Sequence, residues 1–185
     1  EDTGATKAKF TLSREALTFE HNGRPFEEQD LYAITDIGEG TKSGKEDKIG
    51  CFGVGFKAVF FYTETPRIWS PTFSFQITEL VLPEELTEDS TIGQNTRFEF
   101  PFNNSKMSPA NAYLEISAGL NQIASTTLLF LSNIRSITWA VEGGSENEVQ
   151  RLEHSHHHVE TRKINGGKVK QNFHFLRFTQ PVVGL

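Results

Sequence analysis

Ile49 to Phe60 reads I-G-C-F-G-V-G-F-K-A-V-F, a glycine-punctuated turn that runs straight into an apolar helix start. Gly50, Gly53 and Gly55 stand in a G-x-x-G-x-G frame. Without side chains at those positions the backbone can approach a ligand closely and adopt positive φ with no Cβ clash. Val54, Phe56, Ala58, Val59 and Phe60 then build a helix whose free N–H groups point back at the loop. A helix N-terminus fed by a glycine turn is suited to anions, phosphate above all. Glycine turns also serve plain close packing of a helix on a strand, and this spacing matches neither the P-loop nor the dinucleotide fingerprint. The frame alone therefore leaves both readings open.

The flanking residues narrow the choice. Upstream lie F-E-H-N-G-R-P-F-E-E-Q-D-L from Phe19 to Leu31 and I-G-E-G-T-K-S-G-K-E-D-K from Ile37 to Lys48. Downstream stands N-T-R-F-E-F at Asn95 to Phe100. In this order the motifs resemble the GHKL (Bergerat-fold) ATPases, in particular the heat-shock-chaperone branch and sacsin-type N-terminal ATP-binding domains. The resemblance covers roughly residues 1 to 140. It implies an α/β (α+β) two-layer sandwich, with helices on one face of a mixed, mostly antiparallel sheet. It also implies ATP and Mg²⁺ as ligands. Carried over residue by residue, the nucleotide-binding positions are His21, Asn22 and Gly23 for the base. Lys42 lies in a lid over Asp36 to Lys48. Gly50, Phe52, Gly53, Val54, Gly55 and Phe56 form the phosphate turn, and Thr96 closes the base pocket.

Two departures from the family pattern matter. The adenine-reading aspartate falls on His21, in H-N-G-R-P-F. An unprotonated ring nitrogen could still accept from an exocyclic amine, in which case binding is expected to weaken between pH 7 and pH 5 as the ring protonates. The second departure concerns the family's first helix, ending E-x-x-x-N-A-x-D-A, which supplies the water-activating Glu and the Mg²⁺-holding Asn. E-D-T-G-A-T-K-A-K-F resembles the tail of that motif, with Asp2 on its aspartate, so the catalytic Glu is expected before residue 1. The chain as given is expected to turn over no ATP by itself, and no metal ligand is assigned within it.

Composition bounds the rest. At 185 residues the chain can bury one core without disulfides, and 16 Phe supply bulk for it. Eighteen basic against 24 acidic residues leave −6, so a nucleic-acid surface is not indicated. A single cysteine, Cys51, suits a reducing cytoplasmic or nuclear compartment and lacks the paired base of a cysteine nucleophile. No apolar run is long enough to span a membrane.

Hydrophobic periodicity predicts strands at Lys7–Ser13, Leu17–Glu20, Arg67–Ser70, Phe73–Thr78, Thr96–Phe102, Ile134–Val141, Val149–Val159 and Phe173–Phe178. Helices are predicted over Glu27–Thr35, Gly53–Tyr62, Ser108–Gln122 and Thr126–Leu131. Glu142–Glu148 reads as a turn or linker, dividing an ATP-binding domain (1–142) from a β-rich extension (143–185) packed on it. Asn165-Gly166-Gly167 reads as a tight turn. The stretch E-H-S-H-H-H-V-E, Glu153 to Glu160, would as a strand set His154, His156 and His158 on one face, where Zn²⁺ or Ni²⁺ could bind. An exposed polar strand is the reading preferred, because no distant Cys or His cluster joins it in sequence. The function expected is an ATP-binding module of a larger chaperone-like or ATP-gated protein. Its expected partners are further domains of the same polypeptide, with a homodimer left open. The alternative is a degenerate domain of the same fold, serving as scaffold without ATP turnover.

Overall fold

The computed structural model describes residues 3–35 and 54–178, and statements of absence below refer to these. Ten strands form one mixed sheet: β1 (Lys7–Leu12), β2 (Ala16–His21), β3 (Arg67–Trp69), β4 (Ser74–Thr78), β5 (Leu82–Glu85), β6 (Thr96–Pro101), β7 (Ser136–Val141), β8 (Asn147–Glu153), β9 (His158–Asn165) and β10 (Lys168–Leu176). The spatial order is β10-β9-β8-β7-β1-β2-β6-β3-β4-β5. Only β1 and β7 run parallel; every other pair is antiparallel. The three strands beyond residue 143 continue this sheet, β8 pairing directly with β7.

Period-two alternation assigns each strand's faces. The registers place Ala8, Phe10 and Leu12 level with His21, Phe19 and Leu17, and these in turn with Thr96, Phe98 and Phe100. On the same face come Ile137, Trp139 and Val149 to one side and Ile68 and Phe75 to the other. The α-helices and two of the three described 3-10 segments pack here, in two groups. Helix α3 (Pro109–Asn121) and the 3-10 segment Ser125–Phe130 press Ala112, Leu120 and Leu128 onto Ala8, Leu12, Ile137, Trp139 and Val149. Helix α1 (Glu28–Thr35) and the short α2 (Val54–Lys57), continued by a 3-10 turn at Ala58–Phe61, set Leu31, Ile34, Phe56, Val59 and Phe60 against Ile68, Phe75, Phe98 and Phe100. Fully burying a large apolar side chain such as Leu128 or Ile68 contributes about 1.5–3 kcal/mol.

Local chemistry explains the boundaries. Ser108 caps α3 by accepting from the Asn111 N–H at 3.2 Å, and Pro109 follows at the first helical position, where its missing donor costs nothing. At the β9–β10 hairpin, Gly166 and Gly167 have φ of 54° and 74°, a pair that side-chain-bearing residues seldom adopt. No strand is predicted between Thr78 and Thr96, yet β5 (Leu82–Glu85) forms there at the end of the sheet, and its Pro83 suits an edge strand that needs no donor. The continuous helix expected from Gly53 to Tyr62 is instead one α turn and one 3-10 turn. The second expected helix, Thr126–Leu131, is likewise 3-10. Both segments are rich in β-branched and aromatic residues, which lower the preference for a longer α-helix.

The predicted strand across Val149–Val159 is a correction of another kind. It is two strands, β8 and β9, joined by a turn at His154–His157. Ser155 closes that turn: its Oγ accepts from the N–H groups of His157 and His158. A serine hydroxyl offering this local alternative competes with the strand ladder.

Candidate functional site

His21 is the last residue of β2 and pairs directly with Thr96, the first of β6. Two motifs far apart in sequence thus meet on the helix-bearing face. The His21 ring sits beside both Phe19 (centroids 5.8 Å apart) and Phe98 (5.9 Å), which are 5.7 Å from each other, and Phe10 stacks on Phe19 at 4.9 Å. Phe26 and Phe56 approach Phe98 from the side of α1 and α2, at 5.8 and 6.4 Å. These rings make an apolar floor with the imidazole at one end. Burial in that setting disfavours the imidazolium and pushes its pKa down to about 4. The expected protonation between pH 7 and pH 5 is therefore corrected: the ring is neutral throughout that range.

The turn after β2 settles which ring nitrogen carries the proton. The Gly23 N–H donates to His21 Nδ1 at 3.1 Å, so Nδ1 is the unprotonated nitrogen and Nε2 bears the hydrogen. The Gly23 position is packed so tightly that a Cβ there would overlap the Thr3 side chain. Thr3 also accepts from the Arg24 N–H at 3.0 Å. Asn22 is spent on the neighbouring strand: its Oδ1 accepts from the N–H groups of Thr6 and Lys7 at 2.9 Å, and its Nδ2 donates to Thr6 Oγ1. Asn22 thus holds the start of β1 in place. That role could be suspected from an Asn in a turn, but not its partners.

Thr96 has no accessible surface, and its hydroxyl donates to Ser70 Oγ at 3.4 Å. Ser70 Oγ accepts in turn from the Phe26 N–H at 2.9 Å, while Thr72 Oγ1 donates to the Phe26 carbonyl at 2.5 Å. A chain of hydroxyls therefore links Thr96 to the segment that leads into α1. Sequence reasoning missed Ser70 and Thr72, since a Ser-Pro-Thr turn carries no mark of what it will reach. Arg24 adds a second restraint, a bidentate pair with Asp30 at 2.5 and 2.9 Å that ties the turn to α1. Phe56 is in the apolar cluster, as described; Val54 and Gly55 open α2. Lys42, Lys45, Gly50, Cys51, Phe52 and Gly53, with the whole lid segment, lie outside the described residues.

The histidines near the far edge gather more closely than the sequence suggested. His158 and His174 face each other across β9 and β10, with Nε2 and Nδ1 2.9 Å apart, and the His154 ring lies 4.8 Å from that of His158. His154 Nε2 is 2.7 Å from Glu160, which also accepts from Arg162. Arg162 first and His154 second hold the Glu160 carboxyl down at about 2. Among the described residues no group of three or more His, Cys, Asp and Glu is placed to hold a metal ion. No described helix is long and apolar enough to cross a membrane.

Comparison with known proteins adds the following. The sacsin domain family matches residues 2–82. Over 50 residues, 27% of this chain and 1% of the relative, the sequence is 41% identical to Sacsin of Homo sapiens. Over 67 residues, 36% of this chain and 2% of the relative, it is 34% identical to Protein NO VEIN of Arabidopsis thaliana. The matched stretch is thus a very small part of either protein. Among solved structures, the crystal structure of the N-terminal domain of a DNA repair protein superposes with a TM-score of 0.51 at 12% identity, covering 83% of this chain and 49% of that one. That likeness speaks to the fold alone. The stretch similar to the sacsin domain is the one that carries β1, β2, the His21 turn, α1, the Gly50–Gly55 sequence and β3–β4.

Proposed function

We propose that this chain is the nucleotide-binding module of a larger protein, a two-layer sandwich of the Bergerat type that binds ATP between its sheet and its helical segments. The observation carrying this reading is the direct pairing of His21 with Thr96 at one end of an aromatic floor, beside the helix that the glycine turn enters. An aromatic apolar surface with one neutral polar group at its end suits a planar base. The glycine turn Gly50–Gly55 is read as the phosphate cradle, and the segment bearing Lys42 as its cover.

The residues around His21 and Thr96 are an imidazole, hydroxyls and phenyl rings. That is no set of hard oxygen ligands for Mg²⁺. Mg²⁺ is accordingly read as travelling with the phosphates, and no step is routed through it. In the intact protein, nucleotide state would be coupled to neighbouring domains or to a dimer partner.

The test is Mg²⁺-dependent ATP binding by the full-length protein, measured by calorimetry, with Gly53→Val beside it. Binding that Gly53→Val abolishes, with the circular dichroism spectrum intact, supports the cradle. Loss of folding in that variant would mark Gly53 as structural and remove the argument for phosphate there. One feature favours a scaffold role instead. An acceptor-only aspartate is replaced by a histidine whose Nδ1 is already occupied. A folded full-length protein that binds no nucleotide would establish that second reading.

A further inference from the structure

We propose that His21 reverses the polarity of base recognition, so that the site reads a hydrogen-bond acceptor on a purine ring rather than the amino group of adenine. The inference rests on the nucleotide-binding reading above and names what that site selects.

The hydrogen-bond geometry carries it. A neutral imidazole has one donor and one acceptor nitrogen. The acceptor, Nδ1, is taken by the Gly23 N–H at 3.1 Å. That bond is built into the turn. Gly23 is confined by Thr3, Arg24 is tied to the Thr3 carbonyl, and Asn22 is tied to Thr6 and Lys7. Rotating the ring to free Nδ1 would leave the Gly23 N–H without its partner. Nε2 makes no hydrogen bond among the described residues, and in this tautomer it carries the proton. What the site offers a base is therefore one N–H donor.

The neighbouring phenyl rings of Phe19 and Phe98 contribute no acceptor to offset it. The aromatic surroundings also keep the ring neutral at physiological pH, so this donor is an uncharged one. An aspartate at position 21 would present only acceptors and would pair with the exocyclic amine of adenine. The imidazole Nε2–H pairs instead with adenine N1, with the same atom of a purine lacking any 6-substituent, or with O6 of a 6-oxopurine. An amino group at position 6 adds nothing that this residue can use. The specificity expected is for purine nucleotides as a class.

The experiment compares four Mg²⁺-bound nucleotides on the full-length protein: ATP, purine riboside triphosphate, ITP and GTP. Purine riboside triphosphate, without the amino group, is expected to bind within about threefold of ATP, and ITP within about tenfold, because neither loses a hydrogen bond to His21. His21→Asp should shift the ratio toward ATP over ITP by about tenfold or more, since its carboxylate accepts from the amine and repels O6. A preference of wild type for ATP over both amine-free nucleotides by about thirtyfold or more, equivalent to about 2 kcal/mol, overturns the proposal. Long-range ¹H–¹⁵N NMR of the imidazole at pH 7 supplies a second readout independent of any variant. Nε2-protonated His21 is expected, and Nδ1-protonated His21 overturns the proposal whatever binds. Failure of all four nucleotides to bind overturns the nucleotide-binding reading, and with it this assignment, while the NMR result still separates a wrong ligand from a wrong tautomer.

Discussion

Replacing His21 by glutamine should change how the stability of the protein depends on pH, and the size of the change follows from the ring's surroundings. The folded imidazole titrates at about 4, against 6.5 for the free side chain. Between those values the unfolded chain binds more protons than the folded one, so stability rises with pH across the window and is lost as pH falls through it. Each tenfold difference in proton affinity is worth about 1.4 kcal/mol, which sets a ceiling near 3 kcal/mol. The ring is only half-buried and water screens part of the effect, so about 2 kcal/mol is the expected amount. Glutamine keeps a polar side chain but does not titrate. The assay is urea unfolding followed by tryptophan fluorescence at pH 7, 6, 5 and 4, since Trp139 is 1% exposed and must change environment on unfolding. Carboxylate effects are common to both proteins and cancel in the difference. Wild type should lose about 2 kcal/mol relative to His21→Gln between pH 7 and pH 4. A flat difference would refute the burial argument, and a gain on acidification would show that the ring has found a negatively charged partner.

Further expectations rest on other parts of the fold. Arg151 is buried and donates to the carbonyls of Leu128, Leu131 and Ser132, closing the end of the 3-10 segment. Arg151→Met should cost about 3–5 kcal/mol in the same urea titration, and Arg151→Lys should recover only a minority of it, because one ammonium cannot span three carbonyls. A loss below about 1 kcal/mol would show that water replaces the guanidinium at little expense. Glu79 and Leu80 sit at φ of 50° and 70° in the β4–β5 turn. Leu80 is exposed, so Leu80→Gly should raise the melting temperature by relieving about 1 kcal/mol of strain; a decrease would mean that the leucine packs usefully. Ser70→Ala should leave the Phe26 N–H and the Thr96 hydroxyl unpaired and cost about 1–3 kcal/mol. If the nucleotide reading holds, it should also weaken ATP binding, read by calorimetry.

Sequence legibility followed the range of the forces involved. Strands with strict alternation, such as T-R-F-E-F-P, were readable because one face had to be buried and the other did not. The α3 start was readable because Ser108 and Pro109 act on their own neighbours. The meeting of His21 with Thr96 was legible only through the order of the family motifs; nothing in either segment alone states its register. The tautomer of His21 was not legible at all, since it depends on where the Gly23 amide points. The histidine stretch misled for a related reason. Composition offered an alternating strand, but Ser155 turned the chain, and His174 then arrived from β10 to face His158. Pairing across a sheet assembled a cluster that spacing along the chain could not show.

The position of the candidate site follows from how the helical segments divide the sheet. One group covers β7, β1 and β8, and the other covers β6, β3 and β4. Along the seam between them every residue of β2 is only half-buried, although its Leu17 and Phe19 touch both clusters. A strand shared by two cores is held from both sides and can position a side chain at its end, while its own residues stay partly exposed. His21 is buried enough among phenyl rings to remain neutral, and its Nε2–H has no partner among the described residues. Thr96, one strand further under the α1–α2 group, has lost that access and serves through its hydroxyl link to Ser70. Under the proposed function the two residues divide the labour by placement: His21 at the seam would read the base, and Thr96 under the helices would hold its neighbours in register.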